Sequence, residues 1–142
     1  MIALALLIVI NLFILKMTRE PSVLMEVRQR YKKLRDHIIE TKNEKYRMLT
    51  TPVPLTGMQR MKESVGYNTN KGAEIVVCLD GTVNDVFHVL IHELAHCTVK
   101  EYTHSDQFWK NYIELRDMCV DLGIYQQIPE RKEFCGQHIQ DK

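Results

Sequence analysis

The sequence predicts an α+β domain in which a small antiparallel sheet packs on a central helix and the helices flanking it, preceded by an N-terminal transmembrane helix. Three observations carry this expectation. A nearly unbroken apolar run fills residues 2–15, two β-favourable stretches enclose turn residues within 64–79, and helical periodicity lies on either side of them. The chain divides accordingly into a membrane anchor at 1–17, an amphipathic helix or stalk at 18–45, a domain at 46–128 and a C-terminal tail at 129–142.

Composition narrows the classes. A chain of 142 residues holds one compact domain once the apolar run is set aside. With 45% apolar and 26% charged residues it is no disordered chain, and a formal net charge of +1 leaves no basic excess for neutralising phosphates. Direct nucleic-acid binding is therefore not expected.

From Ile2 to Leu15 the only polar side chain is Asn11, and Lys16 ends the run. At ~1.5 Å per residue this gives roughly 21 Å, short of a ~30 Å hydrocarbon core, so a signal peptide is the rival reading. A signal would need a basic start and a small-residue cleavage site, yet only Met1 precedes the run and KMTREPS follows it. The sequence thus points to an uncleaved anchor, a lipid-membrane contact through residues 1–17 that Met17 and a snorkelling Lys16 extend. Lys16, Arg19, Arg28, Arg30, Lys32, Lys33 and Arg35 all follow the run, which predicts a single-pass protein with its C-terminal domain on the cytoplasmic side. There Cys78, Cys97, Cys119 and Cys135, with no CxxC pair, are expected as thiols. Cys135 and His138 make only half of a zinc-knuckle pattern.

After Pro21, Leu24, Val27, Tyr31, Leu34 and Ile38 recur at spacings of three and four, predicting an amphipathic helix to about Lys45 whose stripe packs on the domain or forms a stalk. Pro52 and Pro54 break helix. Ser64 to Thr69 and Ala73 to Leu79 then read as a hairpin around Asn70-Lys71-Gly72. Thr82 or Asn84 can cap a helix from about Asp85 to Val99, and Ser105 another from Asp106 to about Leu122, ended by Gly123.

The first of these helices carries the chemistry. His92 and His96 lie ~400° and ~6 Å apart, so both imidazoles leave one face and can grip a single ion. Glu93 lies beside them and can reach a water on that ion as a general base. Val86, Phe87, Val89, Leu90, Ile91 and Leu94 make the helix a buried one, where unpaired histidines would be costly. Catalytic zinc keeps three protein ligands and an open position. His104 is the first candidate for the third, with Glu114 and Asp106 as rivals; His88 lies ~12 Å from His96 and cannot share the ion.

These residues resemble the WLM metallopeptidases, relatives of Spartan-type proteases that degrade proteins crosslinked to DNA. The resemblance covers roughly Ser64 to Trp109. It rests on Gly66-x-Asn68-x-Asn70-x-Gly72-x-Glu74-Ile75, on His92-Glu93-Leu94-Ala95-His96, and on His104 followed by Phe108. It implies one catalytic zinc ion held by His92, His96 and His104, with Glu93 catalytic. Two features depart from the family's pattern: the gap before the third histidine is the longer CTVKEYT, and Asp80 follows Leu79 where an arginine is usual.

The function expected is a membrane-anchored zinc metalloendopeptidase of the HExxH type, acting on protein or peptide substrates. An extended substrate is expected to add itself along a sheet edge formed by Glu74, Ile75, Val76, Val77, Cys78 and Leu79. The alternative is a membrane-anchored structural or assembly protein, such as a virion component, that retains the fold with little turnover. Small anchored members of this kind look like proteins of large DNA viruses, where an internal membrane is a natural location.

Overall fold

Residues Ile2–Met17 form helix α1, and the computed structural model describes the whole chain from Met1 to Lys142. None of the α1 residues is buried. No single helix is long and apolar enough to cross a membrane; α1 passes such a test only together with the next helix, across a 52° bend.

That next helix, α2 (Ser22–Glu40), buries Leu24, Val27, Tyr31, Leu34 and Ile38, the stripe expected from their spacing. It is part of the domain rather than a stalk, and at roughly 1.5–3 kcal/mol per buried large apolar side chain the stripe is a major share of its attachment. It stops at Glu40, earlier than the expected Lys45, where Thr41 caps it and a 3₁₀ segment, Glu44–Thr50, buries Tyr46 and Leu49.

Strands β1 (Leu55–Met58), β2 (Gly66–Thr69) and β3 (Glu74–Cys78) form one sheet in the order β1-β3-β2. The hairpin of β2 and β3 is antiparallel as expected, with Tyr67 opposite Val76. The sheet as a whole is mixed, because β1 runs parallel to β3 with Thr56 opposite Val76. This corrects the purely antiparallel expectation and one site assignment with it. With β1 on one side and β2 on the other, the strand from Glu74 to Cys78 is central and cannot be a substrate-binding edge, and Leu79 beyond it donates its backbone N–H to the Met58 carbonyl. The strand behind Pro52 and Pro54 was hidden because LTGM is too short and too little alternating to signal itself.

Helix α3 (Val83–His96) lies against β2 and β3 and is buried nearly all round. Thr82 and Asp85 form a reciprocal capping box at its start. Helix α4 (Asp106–Asp121) packs on α3 and begins at Ser105, whose hydroxyl accepts from the Phe108 N–H. Gly66 permits the close contact of sheet and helix, since a Cβ there would lie 2.6 Å from Val89 Cγ1 and 2.8 Å from the Val76 carbonyl oxygen.

Residues 129–142 are not a tail. Strands β4 (Lys132–Phe134) and β5 (Gln137–Ile139) form a second hairpin around Cys135-Gly136, both at positive φ, as a two-residue turn between right-twisted strands demands. Phe134 and Ile139 enter the core. Lys132 Nζ bonds both oxygens of Asp85 at 2.7 and 2.9 Å. A disulfide joins Cys135 to Cys78, so two of the four expected thiols are not thiols. The pairing escapes sequence reading because the two are 57 residues apart and only the fold brings their Cα atoms to 6.6 Å.

Candidate metal centre and cleft

Helical geometry places His92 and His96 one turn apart on the face of α3 that looks toward α4, with ring centroids 5.0 Å apart. The chain then leaves the helix through Cys97 to Thr103 and returns His104 to the same point. Its Nε2 lies 3.0 Å from His92 Nε2 and 3.1 Å from His96 Nε2. Phe108 lies against all three rings, with centroids 5.1, 4.4 and 4.8 Å away, so its burial orients the cluster.

The seven-residue return is held in place by Lys71. From the β2–β3 turn, its ammonium donates to the carbonyls of His96 at 3.3 Å, Val99 at 2.7 Å and Glu101. These include acceptors that the end of α3 would otherwise leave unpaired. The turn itself is held by Asn68: its amide donates to the Glu93 carbonyl at 3.0 Å and to Cys97 Sγ at 3.1 Å, while its oxygen accepts from the Gly72 N–H at 2.7 Å. The Asn-x-Asn-x-Gly pattern therefore joins the sheet to the helix that carries His92 and His96, a role that spacing alone could not reveal.

Burial, with the His96, His104 and His88 rings nearby, pushes the His92 imidazole down to about 3. Burial, with His104 and Lys71, pushes His96 down to about 4. Both rings stay neutral at pH 7 and keep the lone pairs a metal requires. Tetrahedral zinc ligands on ~2.0–2.1 Å bonds stand roughly 3.3 Å apart, close to the separations found here. Three imidazole nitrogen donors with no fourth protein ligand beside them suit a zinc ion with one free position.

Glu93 is 7% exposed, and burial pushes its carboxyl up to about 7. It borders two adjoining hollows, of about 300 and 330 Å³, that meet at His92. The free edge of β2 borders them as well, with Gly66 in both and Tyr67 and Asn68 in the second. A buried carboxyl, three imidazoles and an unpaired strand edge thus converge on one cleft.

The rival ligands lie elsewhere. Glu114 accepts from Lys45 Nζ and, at 2.6 Å, from the Tyr46 hydroxyl, while Asp106 stands in the first turn of α4, outside the cluster. His88 is committed to a buried network in which its Nδ1 lies 2.9 Å from the Tyr125 hydroxyl and 3.4 Å from Asp141. Tyr112 also bonds Asp141 and does not reach the cleft; Tyr102 lines it, with Lys71 over its ring. Burial works against the Asp141 carboxylate, but hydrogen bonds from His88, Tyr112, Tyr125 and the Ile128 N–H outweigh it and hold its pKa well below the usual range.

The ligand set predicts that His104→Ala lowers zinc affinity about as much as His96→Ala, whereas Glu114→Gln and His88→Ala leave it nearly unchanged. Zinc titration against a competing chelator is the check, and loss of metal in Glu114→Gln would contradict the assignment.

Among relatives, an uncharacterized protein of Acanthamoeba polyphaga mimivirus is 36% identical over 80 residues, covering 49% of this chain. The chain spans only 41% of that relative's length. No solved structure matches. The WLM domain profile matches residues 31–141, which takes in α2 from Tyr31, both sheets, the three histidines and the C-terminal hairpin, and the chain accordingly belongs to the WLM domain family.

Proposed function

We propose that the chain is a zinc-dependent metallopeptidase tethered to a membrane by residues 1–17. The observation that carries this is the meeting of three imidazoles, with the His104 Nε2 atom 3.0 Å from that of His92 and 3.1 Å from that of His96, beside a buried carboxyl in an open cleft. Membership of the WLM family, which is associated with zinc metallopeptidase-like proteins, supports it.

Zinc held by the three imidazoles would supply Lewis acidity, activating water and polarising a peptide carbonyl. Glu93 takes the proton from the attacking water and returns it to the leaving nitrogen, a task suited to a group whose pKa lies near the working pH. The substrate adds as an extended segment to the free edge of β2, in place of the β3 edge expected from sequence, with main-chain hydrogen bonds giving affinity and little selectivity. The expected result is cleavage of casein by the zinc-loaded protein, abolished by a chelator and restored by zinc. No cleavage across a broad panel of unfolded proteins would leave the assembly role in its place.

The anchor reading rests on α1, apolar from Ile2 to Leu15 and wholly exposed. Its 16 residues reach ~24 Å, so local thinning of the bilayer and snorkelling by Lys16 would complete the span. Full-length protein is expected to stay in the membrane through alkaline carbonate extraction, and a chain starting at Ser22 to be soluble; carbonate release of the full chain would defeat the reading. Charge asymmetry puts the domain on the cytoplasmic side, whereas a disulfide favours an oxidising setting. The mimivirus relative supports a virus particle as the setting.

A further inference from the structure

We propose that the C-terminal hairpin is the specificity element of the cleft, enclosing with α3 a side-chain pocket that selects peptide segments carrying a bulky apolar residue next to the cleaved bond. This deepens, and rests on, the peptidase reading of the same site.

The pocket is the hollow of about 300 Å³ on the N-terminal side of the histidine cluster. Val89 of α3 and Val65 before β2 form one side of it, Trp109 of α4 another, and Ile139 of β5 the wall, with His138 and Gln140 at its rim. His92 and Glu93 border it too, so an occupant is held directly against the reacting groups. Its volume sits at the lower end of the ligand-pocket range of ~300–1,000 Å³, room for one large side chain.

Its lining decides what that side chain is. Val65, Val89, Trp109 and Ile139 give it an apolar surface, while its polar lining of His88, His92, His138, Gln140 and Glu93 contains no lysine or arginine and no carboxyl other than Glu93, reserved for proton transfer. Charges around it are engaged already: Asp141 accepts from Tyr112, Tyr125 and the Ile128 N–H, Lys132 is paired with Asp85, and the Lys142 ammonium lies over the Trp109 ring, 3.7 Å from its centroid. A charged occupant would lose its water and meet groups already committed to other partners or to the reaction, whereas Leu, Met or Phe gains from leaving water.

The wall is also firm. The hairpin is pinned by the Cys78–Cys135 disulfide at its turn, by Lys132–Asp85 at its first strand, and by the Asp141 bonds just past its second. Because Gly66 lines the pocket and belongs to β2, a strand laid on that free edge passes the mouth, where alternate side chains can turn into it.

Trp109 is the chain's single tryptophan, so its emission reports occupancy. The experiment titrates acetyl-Gly-X-Gly-amide peptides, with X as Leu, Phe, Ala, Asp or Lys, into zinc-loaded full-length Glu93→Gln protein, and maps wild-type cleavage sites in unfolded casein by mass spectrometry. Leu and Phe peptides should shift the emission with at least ~10-fold higher affinity than the others, the gain from burying such a side chain. Val65→Phe, which fills the pocket, should erase that preference, and His138→Phe at the exposed rim should reduce it should the first variant not fold. Casein should be cut beside bulky apolar residues. Equal affinities for all peptides, or a preference that survives both filling variants, overturns the pocket while wild-type cleavage leaves the peptidase reading intact. Apolar selectivity without any cleavage has the reverse meaning: the pocket stands and the peptidase reading falls.

Discussion

Zinc-loaded Glu93→Gln protein is expected to keep its metal and its fold and to lose hydrolysis by ~10²- to 10⁴-fold, toward the upper end because one group serves as both base and acid. The exchange preserves size and removes only the basic oxygen. Stability supplies an independent sign check in the metal-free protein. Burial raises the Glu93 carboxyl from 4.5 to about 7, so the folded state holds that proton more tightly than the unfolded chain does. The resulting penalty is absent below pH ~4.5, grows as pH rises toward 7 and is complete above it, where it amounts to about 3 kcal/mol. Metal-free Glu93→Gln should therefore melt with the wild type at pH 4 and above it at pH 8. Loss of zinc in the variant would show instead that Glu93 holds the ion.

Removing the Cys78–Cys135 bridge is the second large perturbation. A disulfide spanning 57 residues restricts the unfolded chain enough to contribute roughly 4 kcal/mol in the chain-entropy account. Reduction of the wild type, or Cys135→Ser, should lower the melting temperature by on the order of 10 °C, and the variant should be indifferent to reductant. Four titratable thiols in unreduced, unfolded protein would refute the bridge. Of the two free cysteines, both with pKa values raised by burial, the fully buried Cys119 should react only after unfolding and the half-buried Cys97 ahead of it.

Much of this structure is written in local patterns. The α2 stripe, the Asn70-Lys71-Gly72 turn, the Thr82 and Ser105 caps and the pairing of His92 with His96 each depend on residues a few positions apart, and each is legible. His104 could be ranked ahead of Glu114 and Asp106 from the loop that returns it, and resemblance agreed, although a ligand returned by a loop has no fixed spacing. What could not be read depends on distant partners. Leu55 to Met58 becomes a strand only because β3 offers a parallel edge, and that added strand makes β3 central and leaves the outer edge of β2 as the one that borders the cleft. The disulfide, the Lys132–Asp85 pair and the Asp141 network turn an apparent tail into a wall of the cleft through contacts 13 to 57 residues apart.

The lysine at the β2–β3 turn has a consequence for how far such a site can vary. Closing a flexible loop costs free energy that grows only logarithmically, ~0.6 kcal/mol for each doubling of length. Between His96 and His104 that closure is held partway along, at Val99 and Glu101, by a single ammonium. The stretch of chain that must find its own way back to the cluster is consequently shorter than the gap written in the sequence. Insertions in CTVKEYT upstream of the Glu101 carbonyl should bulge into solvent without displacing His104, and a search that insists on a fixed interval between the second and third histidines will pass over proteins built in this way.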